Sequence, residues 1–375
     1  MVFVNVSNVA CKMDGKIVVS FRKYLLEFKN PSGTSRGILT HKSSWFLEIS
    51  DGNRNGLGEC SIIEGLSPDF LNEIQYESVL NETCLKLQKL LKSSDKIEFS
   101  KSNYQFLNLE LQELFKDIVA FPSIVFGVET ALLDFIAEEK GILFDNNFSR
   151  SKVSIPINGL VWMGSEEFMK TQIEQKLEAG FSTIKMKIGA IDFQKEFALL
   201  TTIRKKFTKD EITLRVDANG AFTFDEASLI LKQLKTLDIH SIEQPIAVGQ
   251  IESMRLLCAE NSIPIALDEE LIGINTTIEK EKLLTSISPQ YIILKPSLHG
   301  GIAGTYEWIQ LAESKKIGWW ITSALESSIG LNAIAQFTGE FKTSIPQGLG
   351  TGGIYTNNLP SDLIIEKGYL KRILN

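Results

Sequence analysis

No segment of this 375-residue sequence approaches the run of about 18 apolar residues that crosses a bilayer. The first residues lack the basic start and apolar core of a secretory leader. Cysteine is scarce. Cys11, Cys60, Cys84 and Cys258 are scattered with no CxxC pair, which argues against a disulfide frame or thiolate zinc site and suits reduced thiols in the cytoplasm. Histidine is scarcer. His41 lies in the N-terminal region, His240 lies too early in its strand to reach the tip, and His299 reads as part of a loop. No glycine fingerprint for a dinucleotide and no P-loop is present. Low-complexity segments and charge blocks are absent, and the net charge of −7 argues against nucleic acid or an anionic membrane as partner.

What the sequence has instead is charge at regular spacing. Lys187, Asp217, Glu243, Asp268 and Lys295 follow one another every 25–30 residues, each closing a short apolar run. A strand, a helix and two loops need about that many residues, so the spacing predicts a repeated β/α unit with one charge per strand tip. Strand patterns fall at 154–158, 182–187, 212–217, 239–243, 263–268, 290–295, 318–322 and 344–348. Helical patterns lie between them at 166–179, 192–207, 224–236, 248–260, 276–286, 302–315 and 328–338. The expected fold class is α/β: a (β/α)8-type modified barrel over 151–359, with all tips on one face.

Residues 1–150 read as an α+β capping domain. Strands at 17–28 and 44–49 flank a polar loop over 30–37, a second loop spans 56–69, and helices follow at 70–92 and 123–140. Both loops are expected to close over the barrel mouth, because a reactive intermediate must be kept from water. The tail at about 360–375 is expected to return and pack on this domain.

Asp217, Glu243 and Asp268 offer hard oxygen ligands with no histidine or cysteine, a set that points to Mg²⁺, with Mn²⁺ as a substitute. Helix capping would explain any one of them but poorly explains three at matched tips. Lys187 and Lys295 end buried strands, where lost solvent lowers an amine's pKa and makes it a base for carbon acids. The alternative is plain neutralisation of the acids. Lys185 shares the face of Lys187 by the two-residue period and needs an acid or a substrate anion there. Arg215 and Asn219 bracket Asp217, and each reads equally as structural or as a substrate contact. Ser323 is a candidate for a substrate carboxylate, whereas Ser327 and Ser328 read as helix caps. Gly348 opens a glycine-rich loop in which backbone approaches a ligand closely. Trp162 is either pocket wall or core.

These segments carry a resemblance. Lys185-Met186-Lys187, Asp217-Ala218-Asn219, Glu243-Gln244-Pro245, Asp268-Glu269-Glu270 and Lys295-Pro296 resemble the muconate-lactonising branch of the enolase superfamily over almost the whole chain. The resemblance implies that the three acids hold Mg²⁺, which binds a substrate carboxylate while a base takes the proton alpha to it. That scheme is the superfamily's own and does not come from the spacing. Within the branch, residues 157–161, 215–219 and 323–330 most resemble the o-succinylbenzoate synthases. This implies a carbon–oxygen lyase that dehydrates a succinyl-hydroxycyclohexadiene carboxylate to a menaquinone precursor. Lys187 would be the base and later the donor to the leaving hydroxide. Lys295 would be the cation on the opposite ring face.

Two alternatives stay open. N-acylamino-acid racemases and dipeptide epimerases keep both lysines and all three acids. The epimerases usually add an Asp-x-Asp element at the eighth strand, which Pro346-Gln347-Gly348-Leu349-Gly350-Thr351 lacks. A non-catalytic carboxylate-binding protein is the alternative of another class. The sequence leaves monomer and homo-oligomer undecided.

Overall fold

The computed structural model describes residues 9–12, 16–34 and 37–373. Its N-terminal part holds β1 (Val9–Lys12), β2 (Val18–Thr34), β3 (Gly37–Ser50), β4 (Asn55–Ser61), α1 (Glu73–Ser93), β5 (Lys96–Ser100), β6 (Gln105–Phe106), α2 (Leu109–Asp117) and α3 (Pro122–Ile136). Strands β2, β3 and β4 form one antiparallel sheet, and β1, β5 and β6 form another. This is an antiparallel capping domain.

Two loops of the sequence reading are strands in part here, the second keeping its loop over 62–69. The polar stretch 30–37 continues the β2–β3 hairpin past a register shift between Glu27 and Ser32. Ser35 and Arg36 lie outside the described residues. The stretch 56–60 belongs to β4. Its glycines serve close packing, not a turn. A Cβ on Gly56 would collide with Ala131 and Phe135, and one on Gly58 with the backbone of Gly127 and Ala131. Helix α3 lies flat on β4 for this reason, and nearly all of its residues are buried.

From residue 155 onward strand and helix alternate. The strands are β7 (Ile155–Pro156), β8 (Gly159–Val161), β9 (Thr183–Lys187), β10 (Thr213–Asp217), β11 (Ser241–Glu243), β12 (Ile265–Leu267), β13 (Tyr291–Leu294) and β14 (Gly318–Ile321). The helices are α4 (Glu166–Glu178), α5 (Phe193–Lys206), α6 (Phe224–Lys235), α7 (Ile251–Glu260), α8 (Thr277–Ile287), α9 (Gly301–Ser314) and α10 (Ser328–Thr338). Capping boxes at Thr223/Glu226 and Thr276/Glu279 start α6 and α8. Strands β8 to β14 form one parallel sheet that curls in chain order. The predicted eighth strand over 344–348 is reduced to single bridges, Gln347 to Ile157 and Gly348 to Thr322. Those bridges span the gap between the two ends of the sheet. The first parallel pairing also falls later than expected, at β8, because 155–156 pair elsewhere.

They pair with the tail. Strands β15 (Leu363–Glu366) and β16 (Tyr369–Arg372) form a hairpin whose second strand runs antiparallel to β7. The tail thus pairs with the first strand of the barrel part, and it also meets the end of the 1–150 segment, where Arg372 Nη1 donates to Ser149 O at 2.7 Å. A slightly earlier segment meets the capping sheet: the N–H of Lys29 donates to Ile354 O at 2.8 Å and that of Thr356 to Glu27 O at 2.9 Å. Among the described residues no helix is long and apolar enough to cross a membrane.

Candidate active site

Parallel pairing brings the charged tips into register. Asp217 is level with Lys187 on one side and Glu243 on the other. Because β9 to β13 are bounded by helices and by the barrel interior, their polar ends can emerge only at the mouth. There they line a cavity of about 590 Å³, within the usual range for a small-molecule site. Lys185, Lys187, Asp217, Asn219, Glu243, Asp268, Lys295, Ser323 and Gly348 all face it.

The charges form a dense network. Lys185 Nζ donates to Asp217 Oδ2 at 3.1 Å and to Glu243 Oε2 at 2.8 Å. Lys187 Nζ donates to the same Asp217 oxygen at 2.8 Å and to Asn219 Oδ1 at 2.5 Å. Lys295 is paired with Asp268. Asn219 holds its place through a left-handed backbone, φ 45°, and through Nδ2 donating to Glu269 Oε1 at 3.0 Å. The ring of His299 accepts the backbone N–H of Lys295 at 2.9 Å, so this histidine shapes the lysine's loop.

The electrostatics follow from burial against pairing. Burial alone would raise the Asp217 carboxyl, but Lys185 and Lys187 outweigh it and hold the group below the ordinary carboxylate range. Burial and the Asp217 charge push Glu243 well above that range in spite of Lys185. For Lys295 the expected fall in pKa is reversed: burial lowers it, but Asp268, Glu269 and Glu243 raise it more. The acids that face the amine outweigh its lost solvent.

The carboxylates suit a hard cation by their chemistry. Glu243 bears an unfavourable charge that a dication would relieve, and Asp268 Oδ1 is buried without a hydrogen-bond partner. Among the described residues no three His, Cys, Asp or Glu side chains stand close enough to form a ready cation cage. Lysine ammonium groups take up the carboxylate oxygens instead, Lys185 being shared between two of them.

One predicted contact fails. Arg215 does share the inward face with Asp217, but it lies one layer deeper and does not line the cavity. Its guanidinium stacks on Trp320 at 4.2 Å and donates to Pro346 O at 2.8 Å. The two-residue period specifies the face of a strand, not the depth. Of the serines, Ser323 lines the cavity and pairs with Thr351 Oγ1 at 2.5 Å, and Ser327 is the N-cap of α10. Trp162 is cavity wall.

Other wall residues were not singled out from sequence. Asn158 and Glu269 lie inside segments already notable for their motifs. Leu325 carries a left-handed φ of 60°, which no sequence signal marks. From the capping domain, Asn30, Pro31, Leu39, Ile63, Glu64 and Leu66 complete the rim. Asn30 and Pro31 come from the first of the two segments, and Ile63, Glu64 and Leu66 from the second.

The chain matches known proteins at sequence and fold level. Residues 169–371 match the model of the enolase C-terminal domain-like family. An o-succinylbenzoate synthase of Desulfotalea psychrophila is 45% identical over 363 residues, covering 94% of this chain and 98% of the relative. An L-Ala-D/L-Glu epimerase of Francisella tularensis subsp. novicida is 25% identical over 293 residues, 78% of this chain and 77% of its own length. The crystal structure of MenC from Desulfotalea psychrophila superposes with a TM-score of 0.81 at 40% identity, over 95% of this chain and 100% of that one. The Bacillus subtilis L-Ala-D/L-Glu epimerase shares the fold, with a TM-score of 0.78 at 19% identity over 96% of each chain.

Proposed function

This chain belongs to the enolase superfamily, and from that membership we propose how its residues divide the work of an o-succinylbenzoate synthase. The chain is a carbon–oxygen lyase that removes water from a succinyl-hydroxycyclohexadiene carboxylate and leaves o-succinylbenzoate. Enzymes of this group depend on a divalent cation. We take it to be Mg²⁺, held by Asp217, Glu243 and Asp268, where it would bind the substrate carboxylate and offset the negative charge that develops on it.

Lys187 takes the proton alpha to the carboxylate. The hydroxyl then leaves the neighbouring carbon as water, carrying a proton returned by the Lys187 ammonium, and the ring becomes aromatic. Lys295 faces the other side of the ring and stabilises the developing charge as a fixed cation. Lys185 keeps Asp217 and Glu243 in place, Asn219 orients Lys187, and Ser323 and the Gly348 backbone receive the substrate's polar groups. Residues 1–150 form the cap and 151–359 the barrel. The product's place is menaquinone synthesis, in the cytoplasm, where the buried thiols of Cys60, Cys84 and Cys258 stay reduced.

The observation that carries this reading is the convergence of two lysines and three carboxylates on one cavity. The cavity wall at Gly348, Gly350 and Thr351 offers no acid to grip an amine, which disfavours a dipeptide substrate. The test is an ultraviolet assay of the diene substrate before and after chelation, with Mg²⁺ added back. Full turnover in exhaustively chelated buffer would exclude the cation's role.

A further inference from the structure

The cavity wall nearest the capping sheet is held by a carboxylate that the dehydration does not use. Glu59, in β4, is fully buried. Its Oε1 accepts from Ser44 Oγ at 2.7 Å and from the Ser327 N–H at 2.9 Å. Its Oε2 accepts from Ser327 Oγ at 2.5 Å and from the Gly330 N–H at 2.9 Å. Two of these four donors are backbone groups at the start of α10, whose amides have no partner within the helix. A capping-sheet residue therefore satisfies the end of a barrel helix.

The neighbours of this contact lead straight to the cavity. Ser323, Ala324 and Leu325 line it, and Ser327 follows two residues later. Between them Glu326 is buried and accepts from Ser297 Oγ, two residues beyond Lys295. Tyr355 OH donates to Leu325 O at 2.6 Å and pins the strained residue of the wall. Lys42, also buried, bonds Ser44 Oγ and Ser61 Oγ, and its charge faces both Glu59 and Glu326.

Resting on the dehydration reading, we propose that Glu59 is a positioning residue: it latches the capping sheet onto the start of α10 and so sets the place of the 323–325 wall, with Lys42 as its buried counter-charge. The chemistry demands a carboxylate. Serine hydroxyls can turn to accept from an amide, but the N–H groups of Ser327 and Gly330 can only donate. A glutamine at 59 would face one of them with its own NH₂, whichever way it lies. It would also leave Lys42 with Glu326 alone of its two buried counter-charges, which destabilises the fold for a reason unrelated to the wall.

Two variants separate these effects. Glu59→Gln should lower thermal stability and raise KM at least tenfold, with kcat within about threefold of wild type. Adding Lys42→Met removes the buried cation, and Glu326, whose carboxyl burial already raises, then takes up a proton, so the double variant carries no unpaired charge there and should regain most of the stability while its KM stays high. Hydrogen exchange over 323–330, measured without substrate, should speed up at least tenfold in both variants. If the double variant shows wild-type KM, or if exchange over 323–330 is unchanged, Glu59 is only a fold-stabilising group and the proposal fails. If wild-type protein does not turn over the diene, the dehydration reading fails, while the exchange data still decide whether the latch exists.

Discussion

Replacing Lys187 by alanine should abolish most of the turnover and leave the fold intact. Its Nζ is shared between Asp217 Oδ2 and Asn219 Oδ1 at the mouth of the cavity. Removing it does not orphan Asp217, because Lys185 still donates to the same oxygen at 3.1 Å. The melting temperature should therefore move by no more than about 2 °C, which corresponds to roughly 1.5 kcal/mol for a chain of this size. Turnover is another matter. Lys185 is clamped between Asp217 and Glu243, and though burial lowers its pKa those acids raise it further, so it cannot take over as base. Lys295 is engaged with Asp268. A positioned base is worth about 10²–10⁴ in rate, and with no substitute on that side the loss should reach about 10³ or more, roughly 4 kcal/mol of barrier. Lys187→Arg should do no better, because a guanidinium does not release its proton. The assay is loss of diene absorbance under saturating substrate, with circular dichroism as the folding control. A folded Lys187→Ala protein that keeps a rate within about tenfold of wild type would refute the assignment.

Glu243→Gln removes one charge with little change of shape, and both cation affinity by calorimetry and turnover should collapse together; intact affinity would remove Glu243 from the ligand set. Gly58→Ala drives a methyl into the backbone of Gly127 and Ala131, so β4 and α3 must separate. Urea melts should show a loss of about 2–3 kcal/mol, and a change under about 0.5 kcal/mol would contradict the packing described. Glu129 is buried against the N–H groups of Ile302 and Ala303 at the start of α9, and burial pushes its carboxyl up to about 8 from an ordinary 4.5. Because the folded value exceeds the unfolded one, its contribution is complete below pH 4.5 and is lost as pH rises through about 8. Stability measured from pH 5 to 8 should therefore fall less steeply in Glu129→Gln than in wild type, by on the order of a few kcal/mol over that window; parallel curves would show that the group is ionised throughout.

Much of the barrel was legible because its signals are local. The apolar approach to each charged tip marks β9 to β13, and the helical stripes between them match α4 to α10 within a few residues. Period and spacing bring Lys187, Asp217, Glu243, Asp268 and Lys295 to one mouth. What sequence did not reveal depends on partners far along the chain. Gly56 and Gly58 look like turn residues until α3 is laid across them. The β2–β3 pairing runs on through Ser32–Leu39 and Thr34–Gly37 although the stretch is polar, and polarity was read as loop. The tail hairpin finds its partner in β7, more than 200 residues earlier. Arg215 has the right face and the wrong depth, since depth is set by Trp320 and Pro346 across the barrel. Short elements such as α2 and β6 carry too few residues to show a period.

The most direct test is to incubate wild-type protein and Mg²⁺ with the succinyl-hydroxycyclohexadiene carboxylate, and in parallel with an N-succinylamino acid in D₂O. The account predicts rapid loss of diene absorbance with stoichiometric o-succinylbenzoate, abolished by chelation and by Lys187→Ala. No aromatisation, with deuterium exchange and racemisation of the amino acid as the sole activity, would contradict it.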